Sequence, residues 1–211
     1  MLRATKVTIE VAKQYSRQSN HNRARLRTPN GAQWITVPLV GGQFGASIAN
    51  MRIDYADNWP RRHLKALRFN YGSSPFYDYL YPEIEQLISL RPEMLGELTA
   101  SSVLLTHKFL KAKSEIDVSP DGKGEETQGD TRREPSAASH SLQLDHRKRQ
   151  RPDAGATIVK LNMQPYRQNF TGFEKDLSTL DLLFNYGPAA SGMIKERTEL
   201  IDFSCESEKS E

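Results

Sequence analysis

LSTLDLLFNYGP, residues 177–188, is strongly apolar, although it follows a long polar interruption of the chain. Its apolar side chains recur at helical spacing, at Leu177, Leu180, Leu183 and Phe184. Gly187 and Pro188 are typical stop residues, so the stretch predicts a core helix. A helix this apolar needs a partner surface, and only the N-terminal part of the chain has segments that can provide one. We therefore expect the two parts to fold as one unit.

Length and composition set the class of protein. The 211 residues are enough for one globular domain. The formal charge of +3 and the pI near 8.9 describe a mildly basic protein. Nucleic-acid-binding proteins have a much denser clustering of Lys and Arg, so the composition argues against nucleic acid as a partner. Cys205 is the single cysteine, which excludes an internal disulfide and a CxxC zinc site and predicts a reducing compartment. No apolar run reaches the roughly 18 residues of a membrane span and no signal peptide is present, so we predict a cytoplasmic protein.

The first forty residues predict a strand, a polar loop and a β-hairpin. Apolar and polar residues alternate over 7–11, which is the period of a half-buried strand. Residues 15–23 are rich in hydrogen-bonding groups and poor in apolar ones, so we expect a loop that can present a site. Asn30-Gly31 lies between two extended runs, 24–27 and 33–39, and is a strong signal for a hairpin turn.

Periodicity and turn residues predict the remaining elements. Residues 48–55 have the pattern of another strand, and helical spacing continues with interruptions over about 58–110 and again over about 176–187. Residues 157–161 predict a last strand, and a short terminal helix is expected within 189–203.

One long stretch is too polar to fold into a core. Residues 111–156 are dominated by Ser, Asp, Glu, Lys, Gly and Pro, and such a segment cannot bury enough surface to offset the entropy of ordering it. We therefore predict a single mixed α/β domain made of 1–110 and 157–203, with a disordered insertion at 111–156 and a disordered tail at 204–211.

Several separate motifs resemble, in the same order, those of the WbqC-like proteins of bacteria. They are YSRQS at 15–19 with Asn22 and Arg23, TPNGAQWITVP at 28–38, Trp59 with His63, YGSSPF at 71–76, and a C-terminal block with Tyr166, Gln168, Gly172-Phe173 and the stretch 177–188. The resemblance covers about residues 2–110 and 157–190 and leaves the insertion unmatched. Members of that family begin with a QPxYFPxxxYF segment ahead of the first strand. This segment is absent here, so we expect an N-terminally shortened member of the family. If the missing segment contributes to the substrate site, the site is incomplete and the protein is inactive.

The resemblance implies a function in general terms only. The genes of WbqC-like proteins have a genomic context similar to that of the genes for surface-polysaccharide (O-antigen-type) biosynthesis. The resemblance therefore implies an enzyme, such as a transferase, that acts on an activated sugar or related metabolite. A nucleotide-linked sugar is then the expected small-molecule substrate. The resemblance carries over no catalytic residues, and it identifies neither a cofactor nor an oligomeric state.

The N-terminal half contains four candidate site residues. Tyr15, Asn22 and Arg23 belong to the polar loop before the hairpin, where an arginine can grip phosphate or carboxylate with two hydrogen bonds, and we predict that they bind substrate. His63 lies four residues after Trp59, on the same face of a helix. A reference pKa near neutrality suits it to general-base catalysis; the alternative is a packed histidine that is hydrogen-bonded within the fold.

The C-terminal block contains four more. Asp181 and Asn185 are four residues apart and share one stripe of the apolar helix, so both need polar partners. Asp181 is either a catalytic or metal-binding carboxylate facing the Asn22–Arg23 loop, or a structural group that pairs with an arginine such as Arg23 or caps neighbouring backbone. Tyr166 and Gln168 are predicted to line the same cleft, and Asn185 to bind substrate. No metal site is predicted.

Known catalytic motifs are missing from the sequence. HExxH, GxSxG and a nucleophilic cysteine context do not occur, so metalloprotease, serine hydrolase and thiol chemistries have no support. The rival to the enzyme interpretation is a non-catalytic partner protein, whose basic run at 146–151 docks an acidic surface or nucleic acid.

Overall fold

A computed structural model describes residues 2, 4–17, 19–119 and 157–202. The strands are β1 Lys6–Glu10, β2 Arg23–Thr28, β3 Gly31–Thr36, β4 Glu115–Ser119, β5 Thr157–Leu161 and β6 Thr198–Asp202. The α-helices are α1 Trp59–Tyr71, α2 Tyr77–Ser89, α3 Leu95–Phe109, α4 Thr179–Tyr186 and α5 Ala190–Glu196, and short 3-10 helices occupy Ile48–Asn50 and Gly187–Ala189. Among these residues, no helix has the length and apolar character needed to cross a membrane.

The strands pair two by two within the described part of the chain. β1 and β4 are parallel, whereas β2 pairs with β3 and β5 with β6 in antiparallel fashion. The predicted hairpin is confirmed: Pro29 and Asn30 connect β2 to β3, and Gly31 takes the positive φ of 111° that an L side chain rarely adopts. Leu26 is buried, which packs the hairpin onto the helical core.

The helical core joins the two ends of the chain. Three helices occupy the predicted region 58–110, and α4 lies within the predicted 176–187. Phe184 of α4 is buried, with its ring centroid 5.0 Å from that of Tyr71 and 5.4 Å from that of Tyr77. Gly187 ends α4 at φ 53°, where an added Cβ would lie 2.5 Å from the ring of Phe76. The elements form the single mixed α/β domain that the sequence predicts.

The predicted strand at 48–55 is wrong. Ile48–Asn50 is a 3-10 helix, and the residues after it form only isolated bridges. Backbone groups of this segment are hydrogen-bonded to the entry of α3 and are therefore not free to pair with a strand. Met51 O accepts from Leu95 N–H at 2.8 Å, and Ile53 N–H donates to Glu93 O at 2.9 Å.

Two further segments differ from the prediction. β4 lies inside the stretch assigned to the insertion, because β1 requires a strand partner and finds it in Glu115–Ser119. The predicted terminal helix is shorter than expected, since α5 ends at Glu196 and the chain then extends as β6 along β5. Residues 120–156, the basic run at 146–151 and the tail at 204–211 lie outside the described residues.

Candidate functional site

The predicted site residues lie at the two ends of strand β2, where Arg27 and Tyr71 join them. One group lies around Arg27 and comprises Tyr71, Tyr166 and Asp181, which we call the carboxylate end. The other lies around Arg23 and comprises Tyr15, Asn22 and, through Thr36, His63, which we call the arginine end. Arg23 and Arg27 are four residues apart in an extended strand, which is about 13 Å.

Asp181 is the centre of the carboxylate end. It lies in α4 with 0% of its surface exposed, and its Oδ2 accepts a hydrogen bond from the Tyr166 hydroxyl at 2.7 Å. Its Oδ1 is buried and has no hydrogen-bond partner among the described residues. Burial raises the pKa of the carboxyl group, and this effect outweighs the opposing effects of Tyr166, Tyr71 and Arg27.

Tyr71 connects this carboxylate to the hairpin. The Tyr71 hydroxyl accepts a hydrogen bond from the backbone N–H of Arg27 at 2.9 Å. It also lowers the pKa of Asp181, although no hydrogen bond of normal geometry joins the two side chains. Burial and the nearby Asp181 raise the pKa of both Tyr71 and Tyr166, so both phenols stay neutral and keep their hydroxyl protons at physiological pH.

Arg27 supplies a buried positive charge at the same end. Its side chain is buried, with 3% of the residue exposed, and its guanidinium donates to the carbonyl oxygens of Thr28, Gly31 and Thr171. None of the ion pairs among the described residues involves Arg27, and its Nε has no hydrogen-bond partner there. Sequence reasoning missed Tyr71, and the alternation Arg23-Arg25-Arg27 favours a solvated strand face for Arg27, which is wrong because Arg27 is buried.

Gln168 and Asn185 support the carboxylate end through backbone contacts. The Gln168 side chain bonds the backbone of Glu174 in both directions, at 2.8 and 2.9 Å. Asn185 Nδ2 donates to the backbone oxygen of Asp181 at 2.7 Å, one turn earlier in α4. The Gln168 bonds stabilise the turn between Gln168 and Glu174, and the Asn185 bond stabilises the helix that carries Asp181.

A cavity of about 340 Å³ opens beside Tyr166. Phe173, Glu174 and Lys175 form one part of its wall, and Ser178 at the beginning of α4 forms another. A second cavity of about 490 Å³, between the hairpin turn and α1, contains none of the predicted site residues. We place the candidate site at the smaller cavity because it adjoins the buried carboxylate.

The arginine end holds the polar loop against the hairpin. Asn22 Nδ2 donates to Val37 O at 2.9 Å, and Asn22 Oδ1 accepts from the Tyr15 hydroxyl at 3.1 Å. Arg23 donates from Nε to Ser19 O at 3.2 Å and lies over the ring of Trp34, with Cζ 4.4 Å from the centroid. Asn22 therefore has a structural role here, whereas the guanidinium of Arg23 lies along an aromatic ring that is partly exposed.

His63 is buried behind the same end. Its Nε2 lies 3.2 Å from Thr36 O, a carbonyl that can only accept, so Nε2 carries the proton. Its ring centroid is 4.9 Å from that of Trp59, and burial lowers the pKa of the imidazole to about 4. Thr36 pairs in register with Arg23, so His63 belongs to the arginine end. Among the described residues, no hydrogen bond joins it to Asp181.

Comparison with known proteins identifies the family. The model of the WbqC-like protein family matches residues 1–192, which is most of the chain. The chain belongs to the WbqC-like protein family. A curated relative, the uncharacterized protein Rv1507c of Mycobacterium tuberculosis, is 31% identical over 201 residues, covering 86% of this chain and 84% of the relative. No solved structure matches the chain.

In this WbqC-family protein, the signature motifs supply both ends of β2. The N-terminal motifs provide Asn22, Arg23 and His63, and the C-terminal block provides Tyr166 and Asp181. Within the described residues, no three His, Cys, Asp or Glu side chains come together as a metal site would require.

Proposed function

We propose that this WbqC-family protein is an enzyme that acts on an activated sugar or a related phosphate-bearing metabolite in surface-polysaccharide biosynthesis. The observation that carries the proposal is the fully buried Asp181, which has one oxygen unpartnered among the described residues and a raised pKa, and whose other oxygen is hydrogen-bonded to Tyr166 in the cavity wall. The polysaccharide context comes from the family resemblance, and a sugar-transfer reaction fits it.

A buried carboxylate of this kind is costly if its role is only structural. A carboxylate without a paired cation destabilises a core, and an apolar residue of similar size is usually at least as stable. Ionisable groups with perturbed pKa values that lie beside a cavity are therefore candidates for function. None of the ion pairs among the described residues involves Asp181, although the charge of Arg27 lowers its pKa from a distance, and this supports a role beyond packing.

Asp181 acts through Tyr166, because it has no exposed surface of its own. Tyr166 lines the cavity and donates its hydroxyl proton to Asp181 Oδ2. A phenol hydroxyl also accepts hydrogen bonds, so a substrate hydroxyl in the cavity can pass a proton to Tyr166 while Tyr166 passes its own to Asp181. In this arrangement Tyr166 contacts the substrate, and Asp181 stores the proton.

Turnover of nucleotide-linked and phosphorylated sugars by purified protein tests the proposal. We expect Asp181→Asn to lower turnover by about 10²- to 10⁴-fold, the usual contribution of general acid–base catalysis, and Tyr166→Phe to cause a similar loss. Asp117→Asn is the matched control, because Asp117 is exposed on β4, away from the cavity. A folded Asp181→Asn variant with wild-type turnover would contradict the catalytic role of Asp181. A wild-type protein that converts none of the nucleotide-linked or phosphorylated sugars would contradict the proposed function.

A further inference from the structure

Two large aromatic side chains are exposed near the arginine end. Phe44 has 78% of its surface exposed and Trp34 has 44%. Each ring is covered by a guanidinium group: Arg17 Cζ lies 5.0 Å from the Phe44 centroid, and Arg23 and Arg25 lie 4.4 and 5.8 Å from that of Trp34. We call these five residues the arginine–aromatic surface.

Arg23 and Arg25 share one aromatic ring, and Tyr15 connects their strand to the segment of Arg17. Arg23 and Arg25 point to the same face of β2, because side chains alternate along a strand, and they are about 7 Å apart along it. Arg17 and Arg23 both act on the phenol of Tyr15, where their positive charges lower a pKa that burial raises. Tyr15 links the two segments, because its hydroxyl donates to Asn22 Oδ1 at 3.1 Å, next to Arg23, and Arg17 follows Tyr15 by two residues. Arg25 is the next arginine along the strand.

Among the described residues, the charges of Arg17 and Arg25 are only partly balanced. Arg25 forms an ion pair with Glu174, but its length of 3.9 Å is close to the limit for such a contact. Arg17 forms no ion pair with any described residue. Guanidinium groups are weakly hydrated and match phosphate oxygens with two parallel hydrogen bonds. The surface therefore suits an anionic ligand with a planar group.

Arg25 also connects this surface to the cavity of the carboxylate end. Its guanidinium donates to Lys175 O at 3.3 Å and pairs with Glu174. Glu174 and Lys175 both line the cavity at Tyr166. A single long ligand can thus contact the arginines and reach the cavity.

We propose that the arginine–aromatic surface binds the nucleoside diphosphate of a nucleotide-linked sugar. The diphosphate contacts Arg23 and Arg25, the base stacks on Trp34 or Phe44, and the sugar extends past Arg25 towards Tyr166. Nucleobases of any sequence stack favourably on aromatic side chains, and arginine favours phosphate. The inference rests on the proposed function, because it assigns the nucleotide part of that enzyme's substrate.

Calorimetric titration with uridine diphosphate tests the inference, since this probe contains the base and the diphosphate without the sugar. We expect it to bind, uridine to bind at least tenfold more weakly, and Arg23→Gln and Arg25→Gln each to weaken the affinity for uridine diphosphate at least tenfold. Trp34→Ala should weaken it by a similar factor. Arg61→Gln is the control, because Arg61 is exposed on α1 and should leave the affinity unchanged.

Several results would overturn the inference. The inference is wrong if none of uridine diphosphate, guanosine diphosphate and thymidine diphosphate binds. It is also wrong if the Arg23 and Arg25 variants bind uridine diphosphate within twofold of the wild-type affinity. Tighter binding of a single-stranded oligonucleotide through the same arginines would instead show a nucleic-acid surface. Asp181→Asn separates this test from that of the proposed function, because it should remove turnover while leaving the affinity for uridine diphosphate within twofold.

Discussion

The carboxylate end and the arginine end of β2 differ in how they hold charge. At the carboxylate end, Asp181 and Arg27 are both buried, and tyrosine hydroxyls and backbone carbonyls are their hydrogen-bond partners. At the arginine end, the guanidinium of Arg23 lies over the partly exposed ring of Trp34. A buried carboxyl group with a raised pKa suits proton transfer, whereas accessible guanidinium groups suit phosphate binding. The contrast favours chemistry at one end and ligand binding at the other.

The largest effect in this comparison is expected from His63, which is buried behind the arginine end. Its pKa is about 4 in the folded protein, against 6.5 for an ordinary histidine, so the folded state binds fewer protons than the unfolded state between these values. Lowering the pH from 6.5 to 4 should therefore reduce the unfolding free energy by up to about 3 kcal/mol through this residue.

Urea denaturation of the wild type and His63→Gln at several pH values measures this effect. The substituted glutamine does not titrate, so the stability difference between the two proteins should shrink as the pH falls and should be largest near pH 7. Parallel stability curves from pH 7 to pH 4 would show that His63 is not the buried, neutral group described above.

A smaller effect is expected from Tyr71→Phe at the carboxylate end. Removal of the hydroxyl leaves the backbone N–H of Arg27 without its acceptor in a buried setting, which should cost about 1–3 kcal/mol of unfolding free energy. Tyr79→Phe is the matched control, because the Tyr79 side chain is exposed on α2. Equal stabilities of the two variants in urea denaturation would mean that the Tyr71 hydroxyl does not tie α1 to the hairpin.

The smallest effect on stability is expected from Trp34→Ala at the arginine end. Trp34 is exposed on one face of a two-stranded hairpin, so its removal should change the unfolding free energy by no more than about 1 kcal/mol. Thermal denaturation of the variant measures this. A loss of more than about 2 kcal/mol would assign Trp34 to the core and remove the reason to treat it as a ligand platform.

The elements that could be predicted from sequence are those determined by local pattern. The hairpin follows from turn residues between extended runs, and the helices follow from apolar spacing interrupted by Gly and Pro. Residues 48–55 are the exception. Met51 and Ile53 are buried as the alternation of a strand suggests, but their backbone is hydrogen-bonded to Leu95 and Glu93 at the entry to α3.

The candidate site was only partly predictable, because its contacts connect distant parts of the chain. Tyr166 and Asp181 were predicted to share a cleft, and they are directly hydrogen-bonded. The contact between Tyr71 and Arg27 spans 44 positions, and no spacing rule indicates it. His63 and Asp181 were both proposed as catalytic, but pairing of Arg23 with Thr36 places His63 at the other end of β2.

Titration of the Asp181 carboxyl carbon by nuclear magnetic resonance tests the division between the two ends most directly. We predict a pKa above the ordinary 3.8, because burial disfavours the charged form. We also predict a further rise of this pKa in Tyr166→Phe, since the Tyr166 hydrogen bond stabilises the carboxylate. A pKa at or below 3.8 in the wild type would contradict the division, because Asp181 would then be an ordinary charged group without a perturbed ionisation suited to proton transfer.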